Sequence, residues 1–186
     1  MKVLLPIQGL RAVAAAAVVI GHFQGYTAPP GMHYWLPYNE MAGAGVDLFF
    51  VISGFVMVYS STPFFGPTDG PASFLSRRII RIVPLYWFCT TIYVVIATAA
   101  PSFDIQYSGE FLAKSYFFIP VARPSGDINP VVGQGWTLNY EMLFYVIFAP
   151  ALLASRFRAV SMVSLVLVTI VAAGALFAPR SLLLAF

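Results

Sequence analysis

Charge is scarce in this sequence. Lys, Arg, Asp and Glu make up 9% of its 186 residues, against about 25% in a soluble domain. With 60% hydrophobic residues, that scarcity excludes a soluble globular chain and defines an integral membrane protein. The formal charge is only +3, too little to argue for a nucleic-acid partner. Cysteine is nearly absent as well. Cys89 stands alone, which excludes an internal disulfide. Two histidines and no Cys-x-x-Cys leave no metal-site spacing. No serine sits in a nucleophile elbow and no Cys–His pairing is evident, which argues against a covalent enzyme intermediate.

What is present is a series of apolar runs of membrane-spanning length, about 20 residues each. They fall at about 7–26, 42–61, 79–100, 136–155 and 160–178. After Pro179-Arg180 the chain ends on Ser-Leu-Leu-Leu-Ala-Phe, which reads as the opening of a sixth span cut short. The expected fold is all-α: a polytopic transmembrane helical bundle of about five spans plus the start of a sixth. Residues 1–186 are expected to form one transmembrane domain, truncated at its C-terminus. Tyr34, Trp35 and Tyr38 in the first connection favour the headgroup level. So does the aromatic stretch 111–118 in the longest connection, 101–135. Gly45 and Gly54 permit close helix packing in the second span. Pro84 is expected to bend the third.

The informative residues are the ionisable ones inside these runs. A charge at mid-membrane depth costs about 2.5 kcal/mol or more on insertion scales, so it faces a protein interior or a wet cavity. Arg11 and His22 are eleven residues apart, close to three helical turns, and so share one face roughly 16 Å apart. Either they end a helix, snorkelling and hydrogen-bonded, or they serve a site. Arg11 also interrupts the core that a signal peptide would need. Asp47 enters near the start of the second span, as a macrodipole partner or a site residue. Arg78 and Arg81 share a helical face and Arg77 points elsewhere. They hold a cytoplasmic loop, and their guanidinium forks also suit phosphate. Thr137, Glu141 and Tyr145 lie on one face of the fourth span, and a carboxyl buried there needs a partner.

Basic residues fix an orientation. With the N-terminus inside, Lys2, Arg77, Arg78, Arg81, Arg156 and Arg158 are cytoplasmic, against Lys114, Arg123 and Arg180 outside. The positive-inside rule supports that arrangement. It places Arg11, Arg78 and Arg81 at one depth. His22, Asp47 and Glu141 lie toward the outer ends of their spans, at another.

These residues together resemble the acyltransferase 3 family of membrane O-acyltransferases. The matching blocks are Ile-Gln-Gly-Leu-Arg-Ala from Ile7, His22, Gly-Val-Asp-Leu-Phe-Phe-Val-Ile-Ser-Gly-Phe from Gly45, and Arg-Arg-Ile-Ile-Arg-Ile-Val-Pro-Leu-Tyr from Arg77. The block Gly-Gln-Gly-Trp-Thr-Leu-Asn-Tyr-Glu-Met-Leu-Phe-Tyr from Gly133 is similar to the branch linked to exopolysaccharide acylation. The resemblance implies transfer of an acyl group, often acetyl, from acyl-CoA to a hydroxyl on a surface glycan, in a bacterial inner membrane. It implies a catalytic role for His22, acyl-CoA handling by Arg78 and Arg81, and an acidic site position at Glu141. Many relatives carry two adjacent acids there; this chain has Glu141 followed by Met142. Family members also have more spans, so the likeness is to an N-terminal half.

The chemistry is consistent with these residues on its own terms. A hydroxyl is a weak nucleophile that needs a general base, and histidine titrates in the right range. Glu141, or Asp47 as second choice, would orient the imidazole in one outer-leaflet cavity, following triad logic. The phosphates of CoA would meet Arg78 and Arg81, with Arg11 at the same depth. The competing reading is a proton-coupled transporter or lipid-sugar flippase, which also uses intramembrane His, Asp, Glu and Arg. Dependence on acyl-CoA separates the two.

Overall fold

A computed structural model describes residues 5–27, 38–99, 107–123 and 126–177. Among these, the regular structure is entirely helical. It comprises α1 (Leu5–Thr27), α2 (Tyr38–Ser60), α3 (Gly70–Ala99), α4 (Gly109–Tyr116), α5 (Trp136–Ala151) and α6 (Arg156–Phe177), with 3₁₀ turns at Thr62–Phe64 and Gly133–Gly135. The chain divides into two compact units, Met1–Thr62 and Pro63–Phe186. Among the described residues, four helices are long and apolar enough to cross a membrane: Leu5–Phe23, Met41–Ser60, Gly70–Ala99 and Arg156–Leu176. The onset of a sixth span lies outside the described residues.

In the first unit α1 packs on α2 through small residues. Ala14 is fully buried and Gly21 is buried one helical heptad further on. A Cβ at Gly45 would stand 2.8 Å from Val18 Cγ2 and 2.9 Å from the Ala14 carbonyl oxygen. Only glycine fits such an approach. Gly54 behaves otherwise: a Cβ there would meet nothing within 4 Å, so it does not serve the packing expected of it. The two glycines are nine residues apart, about half a turn out of phase at 100° per residue, and only one can face α1.

The second unit is organised on α3, which is 30 residues long, roughly 45 Å at 1.5 Å per residue. It begins nine residues before the third apolar run. Gly70 is pressed against the Phe64 carbonyl, and Pro71 suits a first helical turn. The helix therefore starts where turn chemistry sets it, and the apolar run starts later. Pro84 lies inside the helix. α5 has 16 residues, fewer than the twenty or so of a typical span, but the 3₁₀ turn Gly133–Gly135 runs straight into it. Together they extend about 30 Å.

Long-range hydrogen bonds tie these elements together. The Gly66 N–H donates to the Leu152 carbonyl at 2.8 Å, so the start of α3, the end of α5 and the start of α6 share one level. The Tyr86 hydroxyl donates to the Ser115 carbonyl at 3.0 Å and the Trp87 indole to the Tyr116 carbonyl at 2.9 Å. These bonds dock α4 on the middle of α3. The Ser115 hydroxyl accepts from the Val131 N–H at 3.2 Å, and the Arg123 guanidinium donates to the carbonyls of Asn129, Pro130 and Val131. Much of the longest connection is thus a folded cap. On α6, Ala159 and Val163 are the buried apolar residues. Its other described apolar side chains are largely exposed, as expected of a helix solvated by lipid.

Candidate functional site

The second unit gathers its charged site residues around one tyrosine. Tyr145, on α5, is 1% exposed, and its hydroxyl donates a hydrogen bond to Glu141 Oε1, one turn earlier on the same helix. Its ring meets Phe74 of α3 edge-on, with centroids 5.6 Å apart. Phe74 also meets Phe148 at 5.3 Å. Over this aromatic floor lies Arg78, its guanidinium carbon 5.5 Å from the Phe74 centroid and 6.0 Å from that of Tyr145. A guanidinium over two ring faces gains from both quadrupoles, and more so where water is excluded.

Sequence periodicity builds each half of this cluster. Phe74 and Arg78 are one turn apart on α3, as Glu141 and Tyr145 are on α5, so each pair shares a face. Phe74, Tyr145 and Phe148, all buried, bring the two faces together.

The arrangement corrects one expectation. Arg78 and Glu141 do not lie at separate depths; a single side chain touches both. Arg78 also stands eight residues up α3 from Gly70, about 12 Å inward from the helix start. Arg81 lies about 16 Å in by the same measure, and both arginines are within electrostatic reach of the Tyr145 hydroxyl. Arg81 is exposed and Arg78 half-buried. Arg77 points to another face, over the Phe64 ring at 5.3 Å.

In the first unit, His22 and Arg11 are both on α1 and both exposed. His22 Nδ1 lies 2.8 Å from the Val18 carbonyl oxygen. A carbonyl only accepts, so Nδ1 carries the proton and the neutral ring has its lone pair on Nε2. Asp47 is the tenth residue of α2, well past the first turn where the macrodipole acts. It follows Gly45 by two residues, about 200° around the helix. Since Gly45 faces α1, Asp47 faces away from it. Asp47 is therefore not brought to His22 within this unit.

Tyr145 and Phe74 were not singled out as site residues from the sequence. The signal was available in the paired i, i+4 spacings, but the face shared by Glu141 and Tyr145 gave no hint that Arg78 would cover it. Among the described residues, no group of three His, Cys, Asp or Glu side chains could hold a metal ion. Outside the spans, the Lys114 ammonium is bonded to Glu110 at 2.5 Å and holds that carboxyl below the usual carboxylate range.

A chain whose described regular structure is all helical, with four helices of spanning length and apolarity, is an integral membrane protein. Residues 6–184 match the acyltransferase domain of the acyltransferase 3 family, and the chain belongs to that family. It is similar to the exopolysaccharide production protein ExoZ of Rhizobium meliloti (strain 1021), 42% identical over 135 residues. That match covers 72% of this chain and 42% of the relative, so the chain spans less than half the length of the relative it matches. No solved structure matches it.

Proposed function

We propose that the protein acts as a membrane O-acyltransferase. It moves an acyl group, acetyl being the expected one, from acyl-CoA to a hydroxyl of an exopolysaccharide precursor or other surface glycan. The observation that carries this reading is membership of the acyltransferase 3 family across residues 6–184. The name of the relative, an exopolysaccharide production protein, supports a carbohydrate acceptor.

In this reading the acceptor oxygen attacks the thioester carbonyl. His22 Nε2 takes the hydroxyl proton, and the CoA thiolate leaves and is protonated. The hydrogen bond from Nδ1 to Val18 supports this role, because it leaves the lone pair of the neutral ring on Nε2. Glu141 is the supporting carboxylate, ahead of Asp47. Arg78 and Arg81 hold the donor phosphates, with Arg11 a further donor contact. Arg78 is held by its aromatic floor while Arg81 is exposed, which divides the pair into an anchored and an exposed guanidinium.

The five-span topology belongs to the same proposal. The roughly 30 Å of continuous helix from Gly133 to Ala151 matches a hydrocarbon core, so α5 crosses, with the N-terminus cytoplasmic and the membrane the bacterial inner one. The test uses the chain in lipid nanodiscs, supplied with acetyl-CoA and an exopolysaccharide oligosaccharide. CoA thiol release that depends on the oligosaccharide, with acetyl found on it by mass spectrometry, is expected. Transport of the sugar unmodified, driven by a proton gradient in vesicles, would identify a transporter instead.

A further inference from the structure

Tyr145 touches both Arg78 and Glu141. It is also nearly inaccessible, at 1% exposure, so it reaches no substrate itself. We infer that Tyr145 is a positioning residue that sets the donor-binding guanidinium and the site carboxylate in one fixed relation. The inference rests on the acyltransferase reading.

Its two contacts use different parts of the side chain. The ring supports Arg78, together with Phe74, whose own ring is locked at an interplanar angle of 88° to Tyr145. The hydroxyl engages Glu141. A tyrosine with its hydroxyl on a carboxylate one turn back has little rotamer freedom. Phe148 also meets the Phe74 ring, at 5.3 Å, and Phe144 stacks on Phe148 at 5.3 Å, so the floor under Arg78 is part of a packed aromatic core. Arg78 stands on α3 and Glu141 on α5, so a displacement of one helix against the other would disturb the relation that Tyr145 sets.

The two functions are therefore separable. Tyr145→Phe keeps the ring and removes the hydroxyl. It should bind acetyl-CoA as the wild type does, while turnover falls roughly ten- to a hundredfold, the range for a lost hydrogen bond to a charged group. Tyr145→Leu removes the floor as well and should weaken both binding and turnover. A merely structural tyrosine would not produce that split. The contact has a readout independent of donor and acceptor. In infrared spectra of the chain in nanodiscs, the carboxylate band that Glu141→Gln abolishes should shift in Tyr145→Phe.

The expected result is a shifted band together with the split between binding and turnover. An unmoved band, a Phe variant with wild-type turnover, or a Phe variant that loses binding as severely as the Leu variant would each overturn the inference. A wild-type chain that neither binds nor consumes acetyl-CoA would overturn the acyltransferase reading and the positioning role with it; the band then reports separately that the contact was present.

Discussion

The guanidinium of Arg78 lies 6.0 Å from the ring centre of Tyr145, on a face that the two residues share with Phe74. Arginine suits this place because its charge is planar and delocalised, and it can stack while its edge still offers donors. A lysine would place a compact, strongly hydrated charge over the same rings. The two rings thus hold the Arg78 guanidinium in place, where a loose cation would be drawn toward water.

The first prediction follows from that geometry. Arg78→Lys keeps the charge but loses the delocalised guanidinium over the rings, a cation–π contact worth about 0.5 to 2 kcal/mol. Acetyl-CoA affinity should fall severalfold, and Arg78→Ala should lower it further. Arg77→Ala, on the other face over Phe64, should leave affinity close to wild type. Calorimetric titration of the chain in nanodiscs measures all three, and the wild-type affinity should drop as salt rises. Equal binding by Arg78→Ala and wild type would remove Arg78 from the donor site.

Much of this was legible in the sequence, and the rest depended on choices that a sequence leaves open. Hydropathy gave the long helices α1, α2, α3 and α6, because a bilayer demands a continuous apolar run. The i, i+3 and i, i+4 spacings gave the face of Arg78 with Arg81 and that of Glu141 with Tyr145. The rotation of α2 was not legible. Gly45 and Gly54 both invited a neighbour, from opposite sides of the helix, and Asp47 shares the side of Gly54. Had that side met α1, Asp47 would have faced α1; the close approach is at Gly45 instead. The start of α3 was missed because hydropathy marks where apolar residues begin, not where a helix does. Docking of α4 through Tyr86 and Ser115 joins residues 29 apart in sequence and has no local signature.

The second prediction concerns that rotation. Gly45→Val places a branched side chain where a single Cβ already stands 2.8 Å from Val18 and 2.9 Å from the Ala14 carbonyl. The backbone carbonyl cannot move aside, so α1 and α2 must separate, at a cost of about 1 to 3 kcal/mol for an overpacked contact. Gly54→Ala meets nothing within 4 Å and should be neutral or stabilise α2 by about 0.5 to 1 kcal/mol. Thermal unfolding in detergent, followed by circular dichroism, should show a lower midpoint for the first and no loss for the second. The opposite order would mean that the α1–α2 seam lies on the Gly54 side.

A third prediction is pH dependence in α4. Lys114 holds the Glu110 carboxyl below its usual range. A carboxyl whose folded pKa is depressed contributes stability above its unfolded pKa and loses it as pH falls through the folded value. The local order of α4 should therefore be full at neutral pH and decline in acid, and Lys114→Ala should bring the Glu110 titration back up to the ordinary carboxylate range. Glu110 is fully solvated, so the effect on the whole fold should be small. Carbon-13 chemical shifts of labelled glutamate give the titration directly. An unchanged midpoint in Lys114→Ala would dissolve the pairing.

The fourth prediction concerns His22. Its Nδ1 proton is committed to the Val18 carbonyl at 2.8 Å, which leaves Nε2 as the basic atom. If Nε2 takes the acceptor proton, His22→Ala should lower acyl transfer by about 10²- to 10⁴-fold, the usual worth of a general base. Acetyl-CoA binding should persist, because the proposal assigns the donor phosphates to Arg78 and Arg81, which belong to the other compact unit. His22→Gln makes a sharper variant. Its amide can keep a donor for Val18 but supplies no base, so it should fold and bind donor like the wild type while remaining inactive. Transfer assays with acetyl-CoA and oligosaccharide, run beside calorimetric donor binding, separate these effects. Near-wild-type turnover in His22→Gln would show that His22 serves the helix through Val18 and that the base lies elsewhere.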